Sequence, residues 1–335
     1  MALAGSATAT LGHELSNPPT DGISSVKFSP DDPSLLLVGS WDKKLRLYDV
    51  TTDTLKREWN QKAATLDVCF SSGNRCFSVG VDKKLKSFDV NAPGETVIGS
   101  HDDAIRCVVH APETGQILTG SWDHHIGLWD PRTNASLGKY AQPAKVFSMD
   151  VVGHTLVVAT AGRSLFVYDI RNMKETLQPR ESSLKFMTRV LRCMPNGEGF
   201  VSGSIEGRIA VEYFDPSKES QARKYAFKCH RQVVDDTEHI FPVNAIAFHP
   251  IHGTFASGGS DGVVYIWDHL NKKRMRQYPR YPTGISSLAF NCDGSMLAVA
   301  SSYSFDEGEK DHPPDSVFVR QVGENECRSK AKVAA

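Results

Sequence analysis

Three residues between positions 101 and 123 have side chains that could do chemistry together. His101, Thr119 and Asp123 offer the imidazole, hydroxyl and carboxylate of a hydrolase triad, and Trp129 follows them. A triad is recognised by its geometry and by the role of each group, so residue types alone do not establish one. With Trp129, the same residues have the spacing of a hydrogen-bonded tetrad that holds a small β-sheet together. We favour the structural tetrad and predict that the protein is not an enzyme.

Adjacent histidine and cysteine side chains raise the question of a metal site. His124 is followed by His125, and Cys229 is followed by His230. Neighbouring residues of a strand point to opposite faces, so neither pair can easily bind one ion. No third ligand stands out beside either pair. We therefore predict no metal site and no cofactor.

The segment that contains the tetrad recurs along the chain. Residues 120–130 read GSWDHHIGLWD, and residues 39–49 read GSWDKKLRLYD. Residues 79–89 and 258–268 are further copies. Each copy has an acid in a tight turn, then alternating apolar and polar residues, then an aromatic–Asp pair. A period of roughly 40–45 residues that ends in Trp-Asp is typical of WD repeats.

The repeats predict an all-β fold, a seven-bladed WD-repeat β-propeller over residues 11–322. Each blade should be a small antiparallel sheet of about four strands. The seventh repeat begins at residue 285 and is interrupted by an acidic loop at 305–315. We expect an N-terminal strand within 11–16 to complete the last blade, because closure of the ring removes exposed sheet edges.

The composition places the chain among ordinary globular proteins. Its 335 residues have a formal net charge of −1, which argues against general nucleic-acid binding. Seven cysteines without a Cys-x-x-Cys pair indicate reduced thiols in the cytosol or nucleus. The N-terminus has neither a basic segment nor a long apolar run, so we expect no signal peptide and no membrane span. Residues 1–10 and 323–335 are expected to be disordered tails.

Two tryptophans are not required by the repeat itself. Trp41 and Trp122 stand immediately before the turn acid of their repeats. The same position carries smaller residues elsewhere: Val81, Ala161, Ile205 and Ser260. Such loops lie at one rim of a propeller's channel, and Trp is enriched in binding hot spots. We favour two binding anchors on one face over the alternative that both rings pack between blades.

The fifth repeat departs most from the pattern. Its turn acid is Glu206, and its expected aromatic–Asp pair is replaced. It contains Arg208, with Arg189 upstream and Lys228 in its outer strand. Sites where a local pattern fails are often functional. A glutamate among several cations could hold an ion pair or a phosphorylated side chain, although solvated surface charges are an equally good interpretation.

Several strings go beyond a generic repeat. They are NPP at 17–19, DGISSVKFSP at 21–30, RESSLK at 180–185, SIEGR at 204–208, KYAFKCHR at 224–231 and FVRQV at 318–322. With these strings the chain resembles the WD-repeat proteins of the mitotic spindle-assembly checkpoint, the budding-uninhibited-by-benzimidazole propeller family. The resemblance covers nearly the whole chain, from about residue 15 to residue 322.

The resemblance implies a non-catalytic adaptor of the nucleus and cytoplasm that reaches kinetochores and centromeres in mitosis. Its partners would be a checkpoint kinase and a kinase-like checkpoint protein, bound through GLEBS-type motifs, and a kinetochore scaffold with phosphorylated Met-Glu-Leu-Thr repeats. An anaphase-promoting-complex inhibitor assembly is a further implied partner. The family's motif-peptide positions match Trp41, Trp122, Arg189 and Glu206. Its phosphothreonine-binding cations match Arg208 and Lys228.

Two other functions are compatible with the sequence. The related mRNA-export propeller of the nuclear pore shares the SIEGR and FKCHR strings, also binds a GLEBS-type motif, and would predict RNA binding. The near-neutral charge and the form of the first repeat favour the checkpoint branch. A cullin-ligase substrate receptor would instead use Arg132 and Arg171, which follow aromatic–Asp pairs.

Overall fold

The computed structural model describes residues 11–71 and 74–329. The predicted tail at 1–10 lies outside the described residues. Within them, strands dominate, and seven sheets of four strands follow one another along the chain. The all-β, seven-bladed propeller predicted from the repeats is therefore confirmed.

The strands of the first half of the chain follow the repeats closely. A short strand, β1 (His13–Glu14), precedes the first complete sheet. Blades 1 and 2 consist of β2 (Ile23–Phe28), β3 (Leu35–Ser40), β4 (Lys44–Asp49), β5 (Thr54–Asn60), β6 (Thr65–Phe70), β7 (Arg75–Gly80), β8 (Lys84–Asp89) and β9 (Thr96–Ser100). Blades 3 and 4 consist of β10 (Ile105–Ala111), β11 (Gln116–Ser121), β12 (His125–Asp130), β13 (Ala135–Ala141), β14 (Val146–Val152), β15 (Thr155–Thr160), β16 (Ser164–Asp169) and β17 (Gln178–Glu181).

The second half adds one hairpin to the propeller. Blade 5 consists of β18 (Thr188–Cys193), β19 (Gly199–Ser204), β20 (Arg208–Tyr213) and β21 (Tyr225–Lys228). The unpredicted hairpin of β22 (Arg231–Val234) and β23 (Thr237–Ile240) follows it. Blade 6 and the C-terminal strands are β24 (Val243–Phe248), β25 (Phe255–Gly259), β26 (Val264–Asp268), β27 (Lys273–Gln277), β28 (Ile285–Phe290), β29 (Met296–Ser301) and β30 (Ser316–Gln321).

The N-terminal strand closes the ring as the sequence predicted. β1 pairs antiparallel with β30, so that the order of the seventh blade is β1-β30-β29-β28. The Leu15 amide then donates to the Val317 carbonyl at 2.9 Å. The Leu15 side chain is buried in a core cluster that joins blade 7 to blade 1. β1 therefore covers the edge of β30 that would otherwise be exposed and gives the seventh blade its fourth strand.

The C-terminal segment differs from the prediction of a disordered tail at 323–335. After a short helix in blade 5, α1 (Lys218–Ala222), a second one, α2 (Glu324–Cys327), follows the last strand. Cys327 is buried, and its carbonyl accepts a 2.7 Å hydrogen bond from the Thr254 hydroxyl. Packing against blade 6 therefore holds the start of this segment, and residues 330–335 lie outside the described residues.

Candidate peptide-binding face

The innermost strand of every blade carries a β-bulge at the same end. In all seven, the register with the next strand shifts after the strand's first residue. A bulge inserts an extra residue and re-aims its side chain. The seven inserted residues are Ser24, Leu66, Arg106, Phe147, Arg189, Asn244 and Ser286. The repeat pattern did not reveal these positions, although aligning the residue after each first strand residue would have.

All but one of these bulge residues line a cleft of about 560 Å³ at one end of the channel. Trp41 and Trp122 stand on its wall, and the side chains of Tyr303 and Phe305 also line it. Trp41 is 49% exposed, which is high for so large an apolar side chain. The structure thus brings three of the four residues predicted to hold a peptide, Trp41, Trp122 and Arg189, around one opening.

Trp122 is more enclosed than Trp41. Its indole nitrogen is buried and has no hydrogen-bond partner among the described residues. The Lys145 ammonium lies 5.6 Å from the centre of its ring, at the distance of a cation–π contact. A buried Trp N–H usually finds an acceptor, so this donor is left unsatisfied at a cost in free energy.

Arg189 supplies positive charge to the cleft. Its guanidinium pairs with Asp306 of the acidic loop, with Nη1 and Oδ1 3.2 Å apart. The side chain of Arg189 is partly exposed, so it can be reached from solvent. Arg106 lines the same cleft and was not singled out from the sequence. The two guanidiniums give this opening, which is lined by four aromatic side chains and several small polar ones, a preference for acidic ligands.

The remaining predicted residues form a separate group on blade 5. Arg208 lies directly opposite Lys228 across β20 and β21, which places both side chains on one face of the sheet. The Glu206 carboxylate lies 3.7 Å from Nε of Arg208, and the Glu206 carbonyl accepts from Arg231 at 2.8 Å. Glu206 is not among the residues lining the tryptophan cleft. Like charges directly opposite one another are unfavourable, so the Arg208–Lys228 pair favours an anion nearby.

The tetrad predicted in the third repeat is a structural element of blade 3. His101 contacts Asp123 through Nδ1 at 2.9 Å and Thr119 through Nε2 at 2.8 Å, and Trp129 Nε1 donates to Thr119 Oγ1 at 2.8 Å. Burial lowers the pKa of His101, although Asp123 acts in the opposite direction. Thr119 is fully buried, so its hydroxyl cannot reach a substrate.

A second tetrad lies in blade 6 and was missed. His230 contacts Asp261 at 2.8 Å and Ser257 at 2.9 Å, and Trp267 donates to Ser257 at 2.8 Å. The hydroxyl, acid and Trp are spaced as in blade 3, which was the available signal. His230 is therefore a structural residue. The described residues contain no group of three His, Cys, Asp or Glu side chains arranged to hold a metal ion.

The two arginines of the ligase hypothesis fold back on their own repeats. Arg132 pairs with Asp130 at 2.9 Å, and Arg171 pairs with Asp169 at 2.6 Å. The hydrogen bonds from Arg132 lower the pKa of Asp130 to about 2. Each pair is local to its own repeat, and the two do not form a shared site. Of the helices described, none has the length and apolar character needed to cross a bilayer.

Fold and site together define a class: a β-propeller scaffold with an aromatic, basic cleft of peptide size on one face. A family model described as WD domain, G-beta repeat matches residues 5–49, 95–130 and 227–268.

Similar proteins narrow the class. The chain is 53% identical over 331 residues to the mitotic checkpoint protein BUB3.1 of Arabidopsis thaliana, covering 97% of each chain. It is 47% identical to the mitotic checkpoint protein bub3 of Dictyostelium discoideum, covering 92% of this chain and 94% of that protein. The mRNA export factor GLE2 of Chaetomium thermophilum is 34% identical, covering 97% of this chain and 96% of the factor. The chain belongs to the BUB3 family of WD-repeat mitotic checkpoint proteins.

Proposed function

We propose that the protein is a non-catalytic adaptor of the mitotic spindle-assembly checkpoint. It binds GLEBS-type motifs of a checkpoint kinase and its kinase-like relative, and it binds phosphorylated Met-Glu-Leu-Thr repeats of a kinetochore scaffold. It thereby recruits the kinases to kinetochores during mitosis and otherwise resides in the nucleus and cytoplasm. The observation that carries the proposal is the grouping of Trp41, Trp122 and Arg189 around one cleft.

The cleft is suited to a short peptide that carries both apolar and acidic side chains. The tryptophan rings offer apolar area on loops fixed by the blades, so little conformational freedom is lost on binding. A peptide glutamate would pair with Arg189, where a carboxylate already sits. Glu206, predicted to hold the motif peptide, lies outside this cleft; we assign it instead to orienting Arg208, which its carboxylate approaches to 3.7 Å.

The phosphothreonine is assigned to the Arg208–Lys228 pair. The two cations face the same way from neighbouring strands, and Lys228 is exposed. Hydrogen bonds to charged groups contribute roughly 1.5–3 kcal/mol each, so two of them change affinity by on the order of a hundredfold or more. Binding would therefore depend on phosphorylation.

The first test is calorimetric titration with a GLEBS-type peptide, with phosphorylated and unphosphorylated Met-Glu-Leu-Thr peptides, and with a short RNA. We expect Arg208→Ala with Lys228→Ala to weaken the phosphopeptide about a hundredfold, because both phosphate contacts are lost. The same variant should bind the GLEBS-type peptide normally. The matched control is Lys218→Ala with Lys224→Ala, which removes two exposed charges from the same blade.

Two results would contradict the proposal. Equal loss of both peptides in the Arg208/Lys228 variant would refute the division into two sites. GLEBS binding together with RNA binding, but without phosphate preference, would favour the mRNA-export function. The lower identity to the export factor, 34% against 53%, makes that function the weaker candidate.

A further inference from the structure

The acidic loop of blade 7 is attached to the rim of the cleft by one carboxylate. The Asp306 side chain pairs with Arg189 of blade 5 at 3.2 Å and accepts from the Ser260 hydroxyl of blade 6. It also accepts from Ser304 in its own loop at 2.9 Å. A side chain that begins in blade 7 therefore reaches across to two other blades. Ser260 occupies, in blade 6, the position that Trp41 occupies in blade 1.

The rest of the loop is mainly held by contacts within itself. The Tyr303 hydroxyl donates to the Gly308 carbonyl at 2.9 Å and accepts from the Glu307 amide at 3.0 Å. The rings of Tyr303, Phe305 and His312 pack on one another, with the centres of Tyr303 and His312 5.1 Å apart. A loop built in this way can move as a unit once Asp306 is released.

Phe305 shows that the present position of the loop is not relaxed. Its φ is 57°, in the left-handed region that a bulky side chain rarely adopts. Its ring lines the tryptophan cleft and is nonetheless 56% exposed. Backbone strain of this kind is typical of ligand clamps and switch segments. Movement of the loop would change the wall of the cleft beside Trp41.

We infer that Asp306 is an internal competitor for the acidic side chain of a bound peptide, so that the 303–315 loop weakens binding until a ligand carboxylate replaces Asp306 at Arg189. This inference rests on the proposed peptide site. It makes Asp306 a residue that sets specificity, because a peptide without a suitably placed carboxylate does not displace the loop. The competition is reciprocal. The factor by which the Asp306–Arg189 contact weakens peptide binding is the factor by which bound peptide weakens that contact.

The test compares Asp306→Asn with wild type by calorimetric titration of a GLEBS-type peptide. The amide retains the side-chain shape but not the charge, so we expect peptide affinity to rise about two- to fivefold, the range for a partly exposed ion pair. Arg189→Gln should remove this gain when combined with Asp306→Asn. The matched control is Asp311→Asn, which neutralises an exposed acid of the same loop and should leave affinity unchanged.

A second measurement needs no ligand. Hydrogen–deuterium exchange of residues 303–315 should be faster in Asp306→Asn and in Arg189→Gln than in wild type or Asp311→Asn, because the loop loses its attachment. Unchanged exchange in both variants, or unchanged or weaker peptide affinity in Asp306→Asn, would overturn the inference. If the wild-type protein binds no GLEBS-type peptide, the proposed function fails, and exchange alone decides whether Asp306 holds the loop.

Discussion

At the scale of single residues, the two tryptophans of the cleft differ in how much of each side chain a ligand can contact. Trp41 is half exposed, so it offers area that a ligand can cover at little cost to the fold. Trp122 is more buried and holds an indole N–H without an acceptor among the described residues. An unpaired buried donor costs free energy unless a partner arrives. Because the Trp122 N–H is buried, Trp122 should contribute ring contact only, and Trp41 should contribute the larger apolar area.

Replacement of Trp41 should reduce binding without unfolding the protein. We expect Trp41→Ala to weaken a GLEBS-type peptide by at least about thirtyfold, corresponding to a hot spot of about 2 kcal/mol. The free energy of unfolding should change little, because half of the side chain is already in water. Titration calorimetry and urea denaturation measure the two effects. Val81→Ala is the matched control, since Val81 holds the same position in blade 2 and is 40% exposed. A similar loss of peptide affinity in both variants would argue against Trp41 as a binding anchor.

At the scale of the blade, the same structural position is stabilised in two chemically different ways. Blades 3 and 6 use a His–hydroxyl–Trp–Asp tetrad. Blade 1 places Arg46 beside Asp42 at 2.7 Å, and blade 2 places Lys86 beside Asp82 at 2.5 Å. Both cations are almost fully buried. In each of these blades a buried histidine, arginine or lysine contacts the turn acid. The geometry of the turn therefore depends on that buried side chain.

Removal of the central hydroxyl of the first tetrad should destabilise the whole propeller. Thr119→Val leaves Nε2 of His101 and Nε1 of Trp129 buried without their partner. Each unsatisfied group costs about 1–3 kcal/mol, so we expect the loss of both partners to lower the free energy of unfolding by about 2–6 kcal/mol. Chemical denaturation measures the change. Thr96→Val, in an exposed strand position, is the control and should have little effect; an equally small effect of Thr119→Val would show that the tetrad contributes little.

At the scale of the whole molecule, stability depends on closure of the ring and on buried histidines. The N-terminal strand joins the two ends of the chain in blade 7. The Ser16 amide continues the link to blade 1 by donating a 2.8 Å hydrogen bond to Asp53, in the turn between β4 and β5. Burial lowers the pKa of four histidines, two of blade 3 and two of blade 6: His101, His110, His249 and His269. For His249 the pKa falls to about 4.

These histidines predict a propeller that loses stability in mild acid. In the unfolded chain they bind protons near pH 6.5, whereas in the folded protein they bind them only at lower pH. Below pH 6.5 the unfolded state therefore binds more protons than the native state. The free energy of unfolding consequently falls as the pH falls. Thermal melting should show a midpoint that drops steadily from pH 7.5 to pH 5.

A variant identifies the source of that change. His249→Asn retains an acceptor for the amides of Ile251 and His252, which His249 binds through Nδ1 at 3.2 Å, but it cannot be protonated in this range. Its melting midpoint should vary less with pH than that of wild type. His239→Asn, at an exposed hairpin position, should behave as wild type does. A midpoint independent of pH, or one that rises in acid, would contradict the assignment to buried histidines.

Much of the architecture was predictable from the sequence because its cause is local. Turn acids, alternating strands and aromatic–Asp ends are set by neighbouring residues, so the repeat predicted the blades and the closing strand. Local departures from the repeat also indicated Trp41, Trp122 and the charged residues of blade 5 as candidate site residues. The second tetrad followed the spacing of the first and was within reach of the same reasoning.

The sequence by itself therefore determined two things. One is the repeating four-stranded blade, and the other is the set of residues that the repeat pattern does not require. The tertiary structure decided which of those residues meet: Trp41, Trp122 and Arg189 at one cleft, with Glu206, Arg208 and Lys228 grouped elsewhere. It also showed the bulge residues that aim into the channel and the Asp306 contact with Arg189, 117 positions away. The physical reason is that such contacts depend on the curvature of a closed ring, which brings distant loops together and which no local pattern encodes.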